Sequence, residues 1–417
     1  MRDCLALGPG VMVDAVLIAD PPEVSGRSLP EGKRRRMSGV MARLRGPRLW
    51  VAASGVLAAL LLFVVPAPQA HAGPPDRWGF GYLDNPTPPP GYPLALQASS
   101  TGMTAIITAY SAPNHYRIFF PGLGIAGVPD GVVHVTAVSA PAGLPSWCEP
   151  DHWQVAAGGF EQIDVSCYRA PGGIPTASGF SVSYAARYDP PSGPGYAYAE
   201  SDGGPGQLAA FSSTGSPIVI SWLPPGHWQV RLVNQGGVGT APPQDGGFQV
   251  TAVGPIPAHC SASAWSTSIV PPDQFVDVFC YDASGNPVNT PWTLTYQNRR
   301  DILGQTPIHF GYLLKPAAPP PSSSNYNSLT SPHFGQNWAA AISPPTSFTV
   351  VFPQLPVPPD NAQVTAYGSG PQFCRFGLPA SPPWYDNGGS LVVRSVDCFN
   401  GTVPVSADFL VTYNSAS

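Results

Sequence analysis

The chain has 417 residues, of which only 10% are charged while 54 are proline and 45 glycine, against roughly a quarter charged in an average soluble protein. A formal net charge of −5, with Lys315 the only lysine beyond the N-terminal region, excludes a nucleic-acid surface built on basic patches. A hydrophobic content of 43% excludes a disordered chain, so the prolines and glycines read as punctuation between many short strands of several domains.

Residues 1–36 read as a polar extension, and because Met37 or Met41 would each head a more ordinary export signal, Met1 is a candidate mis-assigned start. Residues 37–72 read as a signal peptide. Lys33-Arg34-Arg35-Arg36 and then Arg43, Arg45 and Arg48 lead into an apolar run from Leu49 to Val65, and Ala70-His71-Ala72 follows. That order is the basic, apolar and small-residue plan of secretion, with cleavage expected before Gly73. The alternative is an uncleaved signal anchor that tethers the chain to the membrane, although the run falls short of the roughly 20 residues a span needs. Removal of residues 1–72 leaves 10 basic against 19 acidic side chains, a surface that repels nucleic acid and anionic membranes alike. The expected product is secreted, with no stable membrane insertion after cleavage.

Beyond Gly73 the chain aligns with itself twice, at a period of about 115 residues. Three β repeats are expected, at 73–184, 185–300 and 301–417. Each opens on an aromatic strand, with Phe80-Gly81-Tyr82 aligned to Tyr196-Ala197-Tyr198 and Phe310-Gly311-Tyr312. Strand-like segments follow at His115–Phe120, Trp228–Leu232 and Phe348–Phe352, and then a Val-Thr-Ala strand at Val135, Val250 and Val364. A cysteine, a tryptophan and a strand ending in a second cysteine come next, and each repeat closes on an aromatic strand: Phe180–Tyr184, Trp292–Tyr296 or Phe409–Tyr413. In the closing strands apolar and polar side chains alternate, the pattern of an antiparallel strand with one face in a core. The expected fold is all-β, with three tandem antiparallel β-sandwich repeats of immunoglobulin-like type, one disulfide in each. Asp189–Gly195 and Pro316–Ser324 read as linkers.

The cysteines fit that division. Cys4 lies in the N-terminal extension, and the other six fall as Cys148 with Cys167, Cys260 with Cys280, and Cys374 with Cys398. Pairs after an export signal, without close CxxC or Cys/His spacing, read as disulfides, each contributing about 3 kcal/mol by restricting the unfolded chain. With its own bridge and its own apolar face, each repeat is expected to fold alone.

The landmark order resembles an uncharacterised Cys-pair β repeat of secreted bacterial proteins, over residues 78–417. It rests on Val364-Thr365-Ala366-Tyr367, Cys374, Val396-Asp397-Cys398-Phe399, Gly285-Asn286-Pro287-Val288 and Phe409–Tyr413. The second repeat shortens its opening segment, and the third sets its tryptophan ten residues past the cysteine. The resemblance implies export and repetition and carries no activity.

No HExxH, GxSxG, phosphate-cradling glycine loop or calcium-loop spacing occurs, so no cofactor, metal site or catalytic residue is expected. His115, His134, His152, His227, His259, His309 and His333 align at no common repeat position, and Asp164 and Asp277 read as a solvated strand face. Trp153, Trp265 and Trp384 admit two readings, rings packed in the sandwich cores or flat platforms for a sugar, with core packing favoured. The expectation is therefore a secreted, non-enzymatic repeat protein with an extracellular binding or structural role, its partner a glycan or cell-surface component. The alternatives are an array of carbohydrate-binding modules and, behind it, a hydrolase with its site between repeats.

Overall fold

Period-two alternation dictates strands, and in the computed structural model all regular structure among the described residues is strand. The described residues are 76–416 apart from 126–130, 139–143, 188–194, 237–245, 269, 305–308, 316–323, 343–345, 356–357 and 378–381. The extension, the signal segment and most of both expected linkers lie outside them.

Each repeat builds the same two antiparallel sheets around four principal strands apiece, with short added strands such as Tyr92–Pro93 and Ile174–Pro175 at some edges. In the first repeat one sheet runs in the order Ala95–Ser99, Arg77–Leu83, Gly179–Ala186 and Val132–Val138, and the facing sheet Ile106–Ser111, His115–Pro121, Phe160–Arg169 and Ser146–Ala156. In the second the orders are Gln207–Ser212, Tyr196–Ser201, Trp292–Gln297, Gly247–Ala252, and Ile218–Trp222, His227–Leu232, Gln274–Asp282, Ala258–Thr267. In the third they are Asn325–Asn327, Phe310–Lys315, Asp408–Ser415, Asp360–Tyr367, and Trp338–Ile342, Ser347–Pro353, Ser390–Asn400, Gln372–Phe376. A separate apolar core fills each sandwich.

The all-β expectation holds, and the strand order differs from that of an immunoglobulin domain. Here the opening strand pairs with the closing strand in one sheet, as in Phe80 opposite Ser183, whereas an immunoglobulin domain sets its first and last strands in opposite sheets. The disulfides differ in the same sense. All three expected bridges are present, and each joins directly opposed residues of neighbouring strands in one sheet instead of tying two sheets together.

Register also corrects the opening alignment. Opposite Ser183, Thr295 and Thr412, which share one position in the closing strands, stand Phe80, Tyr198 and Tyr312. The counterpart of Phe310-Gly311-Tyr312 is therefore Trp78-Gly79-Phe80, and Tyr82 is the counterpart of Glu200 and Leu314. Trp78-Gly79-Phe80-Gly81-Tyr82 contains two overlapping copies of the same pattern, and a slip of two residues leaves every side chain on its own face.

The polar face of the Val-Thr-Ala strands meets the next repeat. These three strands, here the axial strands, touch one another, and their polar side chains are buried. The Thr136 hydroxyl donates to Gln363 Oε1 at 2.6 Å and accepts from the Val364 backbone N–H at 3.1 Å. Thr365 repeats the arrangement toward the second repeat, donating to Gln249 Oε1 at 2.6 Å and accepting from the Val250 N–H at 3.0 Å. His134 closes the ring, its Nδ1 3.0 Å from the Thr251 hydroxyl and its Nε2 2.7 Å from that of Thr295. Third repeat bonds to first, first to second and second to third, a head-to-tail ring that closes within one chain. The described residues accordingly fall in one compact unit, and each repeat buries a polar face against its neighbours as well as an apolar face in its own core.

Sheet edges join in the same sense. Ala262 pairs parallel with Tyr367, and Phe376 with Val138, so that the first-cysteine strand of one repeat extends the axial sheet of its neighbour. At the remaining junction the corresponding residue is Pro150, which has no N–H to donate. There the Gly254 N–H donates to the Pro150 carbonyl at 2.9 Å, no parallel bridge is formed among the described residues, and the second repeat's axial sheet ends at four strands.

The ring generates a test through its one histidine. Burial holds the His134 pKa down to about 3, far below the ordinary value near 6.5. As pH falls from about 6.5 toward 3 the unfolded chain takes up a proton at this position that the folded chain refuses, so the stability it contributes declines across that window. Gln249 and Gln363 occupy the same position in the other repeats. His134→Gln is therefore expected to leave the melting temperature near that of the wild type at pH 7 and to shrink its fall at pH 4.5 by a few degrees. An unchanged fall in thermal scans at the two pH values would contradict the buried, neutral imidazole.

Candidate functional site

The ring sense explains where the tryptophans lie. Trp153, Trp265 and Trp384 are 7%, 2% and 1% exposed, so they sit in the cores and offer no ring face as a sugar platform. In the third repeat Trp384 follows a break in the first-cysteine strand, yet it returns to the second-cysteine strand opposite Val393. At each junction a neighbouring repeat covers the tryptophan-bearing core. Tyr82 and Val138 of the first repeat join the third core, where the Tyr82 ring packs tilted against Trp384 with centroids 5.8 Å apart, and Leu314 and Leu410 of the third join the second.

At the junction of the first and second repeats the covering residues are smaller or polar. Val253 joins the first core, but the position of Tyr82 and Leu314 is held by Glu200. A cleft of about 470 Å³ opens there, lined by Asp151, His152, Trp153, Glu200, Leu208, Ala209, Val253, Gly254, Pro255 and Pro291. Its first-repeat wall is backed by a charged cluster. Asp164, almost wholly buried, receives Arg117 through Nε at 2.8 Å and Nη2 at 3.0 Å, and lies 3.3 Å from His152 Nε2. This replaces the solvated face expected for Asp164. Asp277, at the same position in the second repeat, is more open, with His227 at 3.6 Å.

Asp151 Oδ2 accepts from Ser166 Oγ at 2.9 Å and faces His115 Nε2 at 3.3 Å. Burial raises the Asp151 pKa, and both Ser166 and His115 work against that rise. Its Oδ1 and the Trp153 indole Nε1 are buried with no hydrogen-bond partner among the described residues. Two histidines do share a repeat position: His115 stands opposite Ser166 and His227 opposite Phe279, each one residue before a second cysteine. Direct alignment from the aromatic that follows, Tyr116 with Trp228, would have found the match.

A second feature lies on the ring axis. The residues before the first cysteines, Trp147, His259 and Phe373, form a triangle with ring centroids 5.1–5.4 Å apart. Beneath it a cavity of about 40 Å³ is lined by the axial valines and by Glu149, whose carboxylate accepts from the Ala258 N–H at 3.2 and 3.3 Å. Burial pushes the Glu149 pKa well above the ordinary carboxylate range and holds that of His259 down to about 4. The space suits a water or two and closes the axis; it is too small for a substrate.

Among the described residues no cluster of three or more His, Cys, Asp or Glu side chains is placed to hold a metal ion, and no helix is long and apolar enough to cross a membrane. Among the described residues the exposed tryptophans are Trp222 and Trp338, at 39% and 50% on outer strands, and neither belongs to a repeated landmark. Comparison with protein families, curated proteins and solved structures finds no match to the chain.

Core burial of the landmark tryptophans has a direct check. Trp265→Ala empties a fully buried site and is expected to destabilise the chain by about 3–5 kcal/mol. Denaturant titration measures it. A stability within about 0.5 kcal/mol of the wild type, the range of surface substitutions, would return Trp265 to the surface.

Proposed function

We propose that the chain is an exported, non-catalytic binding protein that acts as one rigid body and takes its ligand in the cleft between its first and second repeats. One convergence supports this reading. Pro150 where the other junctions form a parallel bridge, His134 where they carry glutamine, and Glu200 where they carry Tyr82 or Leu314 all fall at the junction that opens into the cleft. Departures from a local rule that cluster at one place are the signature of function, because each gives up packing that its counterparts keep. The repeats then supply rigidity to one site instead of multiplying three equivalent sites. Three disulfides favour an oxidising, extracellular setting.

Two measurements test the reading. Fractionation of producing cells is expected to find the oxidised chain outside the cytoplasm, and a reduced cytoplasmic chain would overturn export. A ligand-observed NMR screen of small fragments against the oxidised chain is expected to give hits that compete for one site and disappear in Glu200→Leu, which installs the side chain of the second–third junction. Fragments that bind this variant as before would remove the cleft from consideration, and release of product from an extracellular polymer would replace binding with catalysis.

A further inference from the structure

We propose that the ligand of this cleft is neutral and hydroxyl-rich, of the saccharide class, an inference that rests on the cleft being the binding site. Its wall joins two kinds of surface. Leu208, 61% exposed, with Val253, Pro255 and Pro291, presents C–H groups, while Asp151, His152 and Glu200 present polar ones. A sugar ring has the same two-sided character, with C–H patches on its faces and hydroxyls at its edge, and a cleft of about 470 Å³ falls within the size range of small-ligand sites.

The two partnerless atoms narrow the class. The Trp153 side chain is a donor, and Asp151 Oδ1 is an acceptor beside a carboxylate already engaged through Oδ2. An anionic ligand would meet Asp151 and Glu200 and be repelled. An ammonium group could satisfy Asp151 but has no lone pair for the indole N–H. A hydroxyl both donates and accepts, so a pair of neighbouring hydroxyls can meet both atoms. Both are shielded from bulk water, so a ligand reaches them only as the wall side chains move aside. The Trp384 indole already donates to Asp360 at 2.9 Å, whereas that of Trp265, like that of Trp153, is buried without a partner among the described residues, so it is the pairing of the Trp153 donor with the Asp151 acceptor beside the cleft that marks this junction.

The test prints uncharged mono- to tetrasaccharides beside sulfated and amino-bearing sugars, probes the array with the oxidised chain, and measures hits by calorimetry. Neutral sugars are expected to bind, to lose binding in Glu200→Leu, and to bind about 5- to 10-fold more weakly to Trp153→Phe, which keeps the ring's bulk and removes one hydrogen bond. Thermal scans of both variants confirm that the fold persists. Binding confined to amino-bearing or sulfated sugars, or no sugar binding while fragments still occupy the cleft, would overturn the ligand class and leave the cleft as the site. Neutral sugars that bind Glu200→Leu undiminished would place sugar recognition elsewhere, and the cleft reading would fail with it.

Discussion

The structure depends on one constraint: the polar faces of the axial strands are buried, and each repeat's buried hydroxyls and amides find their partners on a neighbour. A buried polar group left without a partner costs about 1–3 kcal/mol. Thr136, Thr365, Gln249, Gln363 and His134 together make that penalty decisive for how the repeats meet, because any other docking would leave several of them buried without partners at once. The ring is held by hydrogen-bond satisfaction as much as by apolar contact, and the sense of one junction forces the sense of the next. Closure follows because each head-to-tail contact uses a donor surface on one repeat and an acceptor surface on another, and after three steps none is left over.

Covalent fusion of the three repeats changes what such a ring can do. A ring of identical subunits must carry any alteration at every junction, so relaxing one means relaxing all. In a single chain the second–third and third–first junctions keep Leu314 and Tyr82 over their tryptophans while the first–second junction gives up the equivalent cover. The packing lost at one interface is offset by two that remain intact and by three bridges. A junction that differs from its two counterparts is thus open to a fused chain, and the frame lends stiffness to the cleft formed there.

The period, the sandwich faces and the cysteine pairing were legible in the sequence because each is a local pattern written three times. Strand order was not, since the same alternation serves any antiparallel sandwich, and neither was the register of Trp78–Tyr82, where two overlapping aromatic pairs lie on the same parity. The polar faces were read as solvated for a deeper reason. Ser, Thr, Gln and His at alternate positions look the same whether they meet water or the hydroxyls of another repeat, and only a distant pairing such as Thr136 with Gln363 separates the two. The site was hidden in the same way, because its residues come from two repeats and are distinguished only by what their counterparts are. Glu200 is an unremarkable strand carboxylate until Tyr82 and Leu314 are known to occupy its place elsewhere, and that comparison needs the corrected register.

The disulfides connect this frame to the cleft. Cys148 opens the stretch Glu149-Pro150-Asp151-His152-Trp153, in which Glu149 lines the axial cavity, Pro150 meets the second repeat through Gly254, and the next three residues form one wall of the cleft. The bridge to Cys167 pins this strand to the second-cysteine strand, which carries Asp164 and Ser166, the partners of His152 and Asp151. Pro150 cannot anchor the strand by a parallel ladder, as Ala262 and Phe376 anchor theirs, so at this junction the covalent bond bears more of the positioning. The same bridge that favours an oxidising compartment therefore sets one wall of the cleft at this junction.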